Sequence, residues 1–333
     1  MKRFIARAIE IIAYYFCIDS IFYLLNRKAK RTLCFHNVLP DGLKIDGEAG
    51  AFDETESHFR YIVREVGRKF GFSTDVFDPK TVTITFDDGY LNQYETAARV
   101  LEEEGCIPAI LFVAGDNLDN SDPSKCLVTD ALTHWVTFTP TIKADATERM
   151  RIWREEIRVK YAADISHKGR SVLAEYDMAY PIANVMNMLS SEYRRLRLTG
   201  VTTSNVMELR KRGWQVGWHT RSHFPLMQLS REERQNELTP MELFKGSPLA
   251  YPYGCPGSID KETAECAKDA GVPCALSAVN DVPEWNGRFL LPRMYVGGDK
   301  YSIHFELSGA KHFMKHGRLL PAGYGFVLES AHK

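Results

Sequence analysis

Two stretches hold side chains whose types and spacing could do chemistry. In Thr81-Val82-Thr83-Ile84-Thr85-Phe86-Asp87-Asp88-Gly89-Tyr90, two adjacent carboxylates follow a run of β-branched and aromatic residues. Such a run suits a strand, and Gly89 accepts the sharp turn that would end it. Asp87 and Asp88 then fall at the carboxyl end of a strand, where barrels and open α/β sheets carry their chemistry. Neighbouring carboxylates repel each other. A divalent cation relieves that repulsion, and hard oxygen ligands suit one. The competing reading is a solvated Asp-Asp-Gly turn. The second stretch holds His219 and His223, four residues apart after the apolar run Trp214 to Trp218. On one helical turn that spacing puts both rings on one side. Two histidines and a carboxylate form a ligand set for zinc and its neighbours that leaves room for water and substrate. Two surface histidines are the plainer alternative. Because both motifs follow a strand, one sheet edge would bring them together.

The elements that must position these motifs read as strands alternating with helices. Thr32 to His36 reads as a strand leaving into a Pro/Gly loop, and Phe52 to Phe70 as a helix with one apolar stripe. After the Asp87 strand come a helix over Tyr94 to Glu104 and the continuous apolar strand Pro108 to Val113. That alternation implies parallel pairing. Further on, Ser204 to Arg212 and Lys261 to Ala270 read as helices, and Leu249 to Tyr251 and Pro273 to Ser277 as strands. Phe289 to Val296 reads as the last clear strand, and Tyr301 to Leu320 as one closing helix. Between Asp116 and Gly200 the regularity is lost, which points to a helical insertion over about 117–200, with a charged helical stretch at 148–159.

At 333 residues the chain suits one large α/β domain, or such a domain with an insertion. Its net charge of −1 gives no reason to expect a nucleic-acid partner. The seven cysteines are odd in number and scattered, with no CxxC pair, so neither a disulfide framework nor a cysteine zinc site is indicated. Residues 1–31 stand apart from the domain at 32–333. Phe4 to Leu25 is apolar and aromatic but is interrupted by Arg7, Glu10 and Asp19. Its longest uncharged run, Ile11 to Ile18, falls short of the ~20 residues a membrane span takes. No small-residue cleavage site follows it. Arg27, Lys28, Lys30 and Arg31 come next. An amphipathic helix on an anionic membrane surface has this form, and so does a helix packed on the domain.

Taken in order, Thr85-Phe86-Asp87-Asp88-Gly89, His219-Thr220-Arg221-Ser222-His223 and Tyr251-Pro252-Tyr253-Gly254 resemble the first three motifs of the polysaccharide deacetylases, carbohydrate esterase family four. The resemblance runs from Arg31 to Val296, apart from the insertion. It implies a distorted, incomplete (β/α)7 barrel and removal of N-acetyl groups from a polysaccharide or a lipid-linked amino sugar. By position it makes Asp87 the general base and Asp88, His219 and His223 the ligands of a divalent metal, with zinc expected. The backbone N–H of Tyr253 would help to hold the oxyanion. Ala250 departs from the arginine that many members carry there. The form Ala-Tyr-Pro-Tyr-Gly resembles the branch acting on exopolysaccharides such as poly-N-acetylglucosamine, in which an arginine from another strand contacts the base. Arg293, in Leu291-Pro292-Arg293, fits that part. The same branch takes its acid histidine from an early strand, and Phe35-His36-Asn37-Val38 matches it with Phe in place of Tyr. His36 is therefore the expected general acid, with His304 as the alternative. Two other functions compete: a non-catalytic carbohydrate-binding member, and a deformylase or amidase acting on another sugar or a small amide. The expected location is the cytoplasm, either free or with residues 1–31 lying on the inner membrane.

Overall fold

The computed structural model describes residues 2–138, 186–254, 258–278 and 287–320. Most of the expected insertion, including 148–159, lies outside the described residues.

The amino end forms two helices, α1 (Lys2–Tyr15) and α2 (Ile18–Leu25). They meet at a 78° bend, with Cys17 in the left-handed region at the break. Strand β1 (Arg31–Phe35) follows, then the short pair β2 (Asn37–Leu39) and β3 (Asp53–Thr55), and helix α3 (Glu56–Gly67). Thr55 caps α3 by accepting from the His58 N–H, which satisfies a donor the first helical turn leaves open. The helix expected over Phe52 to Phe70 thus begins with a strand. Next come β4 (Gly71–Phe72), β5 (Thr81–Phe86), a π-turn at Gln93–Ala97, α4 (Ala98–Glu103), β6 (Ala109–Val113) and α5 (Val128–Phe138). Numbered among the described residues, α6 (Ser191–Leu198), α7 (Thr203–Lys211), β7 (Gln215–Trp218), α8 (Arg231–Leu238), β8 (Leu249–Ala250), α9 (Lys261–Asp269) and β9 (Ala275–Leu276) continue the alternation. The chain closes with α10 (Lys300–Ser308) and α11 (Ala310–His316). The single helix expected from Tyr301 to Leu320 is broken at Gly309, whose φ of 85° ends α10.

The main sheet has seven parallel strands in the order β1-β5-β6-β7-β8-β9, with β4 beside the start of β5. The expected last strand forms no ladder. Instead Leu291 bridges Leu276 of β9 and Met294 bridges Leu33 of β1, both in parallel. Two isolated bridges are all that join the sheet's edges among the described residues, so the sheet curls into a barrel that is incomplete as a ladder. Strands β1 and β6 are buried along their whole length, and β5 from Val82 on. This is why β6 reads as a continuous apolar run; β5 instead alternates threonines with Val82, Ile84 and Phe86, and its buried Thr85 hydroxyl donates to the Leu33 carbonyl. Two glycines permit the close fit. A Cβ at Gly217 of β7 would lie 2.5 Å from the Phe112 ring, and one at Gly89 would lie 2.7 Å from Val113. Gly89 also has a φ of 78°, which glycine adopts without strain.

Candidate active site

The carboxyl ends of β5 and β7 bring the two sequence motifs to one place. Asp87 leaves β5 with its N–H donating to the Phe35 carbonyl at 3.1 Å. Its carboxylate is forked by Arg293, whose Nη1 donates to Oδ1 and whose Nη2 donates to Oδ2, both at 2.6 Å. The rest of the guanidinium is also engaged: Nε donates to the Ser277 carbonyl at 2.5 Å, and Nη1 also donates to Thr85 Oγ1 at 3.1 Å. Arg293 and Asp87 are both buried. Burial alone would raise the Asp87 pKa, but the Arg293 charge and its hydrogen bonds oppose this and the carboxyl is held below its usual range.

Asp88 meets a different set of partners. Its φ of 82° is unusual for a residue with a side chain. Its carbonyl accepts from Ala114 N at 3.3 Å and Asn117 Nδ2 at 3.1 Å, and these bonds hold the turn. The carboxylate faces two histidines, with Oδ1 3.4 Å from His219 Nε2 and 3.3 Å from His223 Nε2. Ligand-type atoms of Asp88, His219 and His223 all lie within 4.8 Å of one another. Asp88 Oδ1 is buried without a hydrogen-bond partner of good geometry, a costly state for a carboxylate oxygen. His219 Nδ1 lies 2.8 Å from the Ala250 carbonyl. Donating there sets the tautomer and leaves Nε2 as the lone-pair atom, the usual arrangement of a metal-binding histidine. Burial pushes the His223 pKa down to about 4, so that ring is neutral, the form in which it can be a ligand. An orphaned carboxylate oxygen and two Nε2 atoms on one small space fit a divalent cation.

A cavity of about 310 Å³ opens on these groups. His36 lines it from the end of β1, with ligand-type atoms of His36, Cys34 and Asp87 within 4.8 Å of one another. The His36 ring clusters with Phe52, at 5.2 Å, and Tyr295, at 6.1 Å and nearly parallel, and those two rings are themselves 6.2 Å apart. Tyr253 lines the wall beside His223, with ring centroids 5.0 Å apart, and its hydroxyl is 2.9 Å from Thr129 Oγ1. Its φ is 61°. Thus Asp87, Asp88, His219, His223, His36 and Tyr253 share one cavity, and Arg293 lies directly beneath. His304 is not among them. It sits on α10, 3.0 Å from the Tyr23 hydroxyl and 3.5 Å from Glu65.

Sequence reasoning missed the polar wall. Arg197 of α6 donates from Nε to Asp53 at 2.9 Å and from Nη2 to Asp130 at 2.7 Å. Asp130 also accepts from the Tyr90 hydroxyl. Arg197, Asp130, Thr129 and Thr133 also line the cavity. The partners of Arg197 lie 67 and 144 residues away, so no local pattern announces them. Phe52 and Tyr295 form the aromatic side and are exposed at the mouth. The only local sign was two large aromatics in stretches read as helix and strand.

Residues 74–152, which include the Asp87-Asp88 motif, match the polysaccharide deacetylase family model. Over this stretch the chain is similar to the polysaccharide deacetylases. No protein with a curated description matches the sequence. Among solved structures, the chain is similar to the Streptococcus pyogenes deacetylase PplD in complex with acetate, at 13% identity over 81% of this chain and 92% of that one, with a TM-score of 0.46. It is also similar to IcaB from Ammonifex degensii, at 14% identity over 84% of this chain and 97% of that one, with a TM-score of 0.48. A third is the BpsB deacetylase domain from Bordetella bronchiseptica, at 14% identity over 81% and 96%, with a TM-score of 0.42.

Proposed function

We propose that this polysaccharide deacetylase is a metal-dependent hydrolase that removes N-acetyl groups from an amino sugar of a glycan, with Asp87 as general base. The observation that carries the reading is the division of labour between two adjacent carboxylates. Asp87 is gripped by Arg293 at 2.6 Å on both oxygens, while Asp88 faces His219 and His223 with a buried oxygen unsatisfied.

Asp88, His219 and His223 would hold the cation, and two histidines with one carboxylate favour zinc. When bound, it supplies Lewis acidity at the amide carbonyl and makes water more acidic. The protein's own groups do the rest. Asp87, kept ionised by Arg293, accepts the proton of the attacking water. Arg293 has no free orientation, so the base is fixed before substrate arrives. His36, in its imidazolium form, donates a proton to the departing sugar nitrogen, since an amine anion is too basic to leave. The backbone N–H of Tyr253 is the proposed donor to the developing oxyanion. The two unlike walls suit a sugar ring. Phe52 and Tyr295 offer apolar faces to its C–H side, and Asp130, Thr129 and Thr133 offer partners to its hydroxyls.

Acetate release from N-acetylated oligosaccharides, measured with the metal-loaded protein before and after chelation, tests the reading. Release that stops with chelator and returns with zinc supports it. Protein shown to hold metal that releases no acetate from any N-acetylated sugar overturns it.

A further inference from the structure

The outer flank of the barrel carries a surface that the proposed chemistry does not use. The inner faces of α1 and α2 pack on the closing helices: Ile9, Ala13, Ile18 and Phe22 cluster with Phe305 and Ala310. A helix that buries one face in this way normally turns a polar face to water. Here the outer faces are apolar as well. Phe4 is 81% exposed and Phe16 74%, and Ile12, Ile21 and Leu24 are each at least half exposed. The surface continues onto α11, where Phe313 packs its ring 5.2 Å from Phe22 and Met314 points out to solvent. Of the fifteen large apolar side chains exposed among the described residues, eleven lie on these helices or just after them. An apolar concentration of this kind marks an interaction site rather than ordinary surface.

The charges on the same elements are sorted by side. Both carboxylates of α1 and α2 point inward. Glu10 accepts from Arg7 and from Ser302, each at 2.8 Å, and Asp19 is buried facing Ser308. Arg27 and Lys28, just past α2, and Lys315 on α11 are exposed. No single helix among the described residues is long and apolar enough to cross a membrane, and the α1–α2 pair is bent by 78°. Apolar residues outward, acids inward and a basic rim make an arrangement that lies in a membrane interface. The rim selects the occupant. Two copies of this face brought together would oppose their own positive charges, whereas an anionic lipid headgroup complements them.

We infer that α1, α2 and α11 form a docking face for an anionic bilayer surface, with the side chains of Phe4, Phe16, Ile21 and Leu24 entering the interface. The inference goes beyond the deacetylase reading and does not depend on it. The face is separate from the cavity, which no residue of α1, α2 or α11 lines.

Co-sedimentation of the full chain with vesicles tests it. One set is phosphatidylcholine alone, and the other contains phosphatidylglycerol as well. The wild type is expected to pellet with the anionic vesicles, less with the neutral ones, and less again as salt rises. The double variant Phe16→Ser, Leu24→Ser is expected to lose at least ~10-fold in partitioning to anionic vesicles. Its circular dichroism spectrum and acetate release should match the wild type's, since neither residue touches the cavity. Lys28→Glu with Lys315→Glu should abolish the preference for anionic lipid. A wild type that stays in the supernatant with anionic vesicles overturns the inference, as does a double variant that pellets unchanged. A wild-type dimer in sedimentation velocity that the double variant converts to monomer, with no vesicle binding by either, assigns the face to a second copy and overturns it too.

Discussion

The cavity and the outer flank both bury carboxylates, and they treat them in opposite ways. At the cavity Asp87 is enclosed by protein, yet the Arg293 fork keeps it ionised. On the flank Asp19 is equally hidden from water, but only the Ser308 hydroxyl faces it, at 3.5 Å, and its Oδ2 has no partner. Burial raises the Asp19 pKa to about 6. Burial with a matched cation makes a base ready to work at neutral pH. Burial without one makes a carboxyl that prefers its proton. The first suits the proposed chemistry, and the second is a cost carried at the packing surface of α2.

The comparison can be broken most severely at Arg293. Arg293→Met leaves Asp87 buried without its cation, and removing one partner of such a pair costs about 3–5 kcal/mol. Urea unfolding should show that loss, together with near-complete loss of acetate release. Adding Asp87→Asn to Arg293→Met should restore part of the stability and none of the activity. Restoration of neither would mean that Arg293 acts mainly through its bonds to Ser277 and Thr85.

The next effect belongs to His36. His36→Gln keeps a polar group beside Phe52 and Tyr295 but cannot deliver a proton to the amine, so kcat should fall at least ~10²-fold. His304→Gln should leave kcat within a few fold and affect only the packing of α10 on Tyr23 and Glu65. Equal losses from both substitutions would remove the case for His36 as the acid.

The smallest effect is on the flank. The folded protein holds the Asp19 proton more tightly than the unfolded chain does, where the pKa is about 3.9. Its contribution to stability is therefore complete below about pH 4 and is lost as pH rises toward 6. Asp19→Asn removes this dependence. Relative to the wild type, the variant's melting temperature should be higher at pH 7.5 than at pH 4.5. A difference that does not change with pH would show that Asp19 is not protonated in the fold.

How much of this was legible in the sequence follows from how local each signal is. The strand ending in Asp87 was clear from its β-branched and aromatic residues, and β6 beside it from its uninterrupted apolar run. Thr85-Phe86-Asp87-Asp88-Gly89 and the His219–His223 pair are contiguous, so spacing alone suggested that they would meet. The left-handed φ of Asp88, found where neighbouring carboxylates take different partners, has no signature beyond the glycine that follows it. The segment from Phe289 to Val296 reads as a strand by composition, but it touches the sheet only at Leu291 and Met294. His36 was preferred to His304 through the pattern Phe35-His36-Asn37-Val38, and packing adds that His36 lines the cavity whereas His304 lies against Tyr23 and Glu65. The wall built by Arg197, Asp53 and Asp130 was invisible, because its charges meet only after β3, α5 and α6 have folded together.

The central claim is that Asp87 is the base and Asp88 is not. It is tested most directly by comparing Asp87→Asn with Asp88→Asn for zinc content and for acetate release from an N-acetylated oligosaccharide, measured on the same preparations. The account predicts that Asp87→Asn retains zinc and loses ~10²–10⁴-fold in rate, while Asp88→Asn loses the zinc and with it the activity. An Asp87→Asn protein that holds zinc and works at the wild-type rate would contradict it.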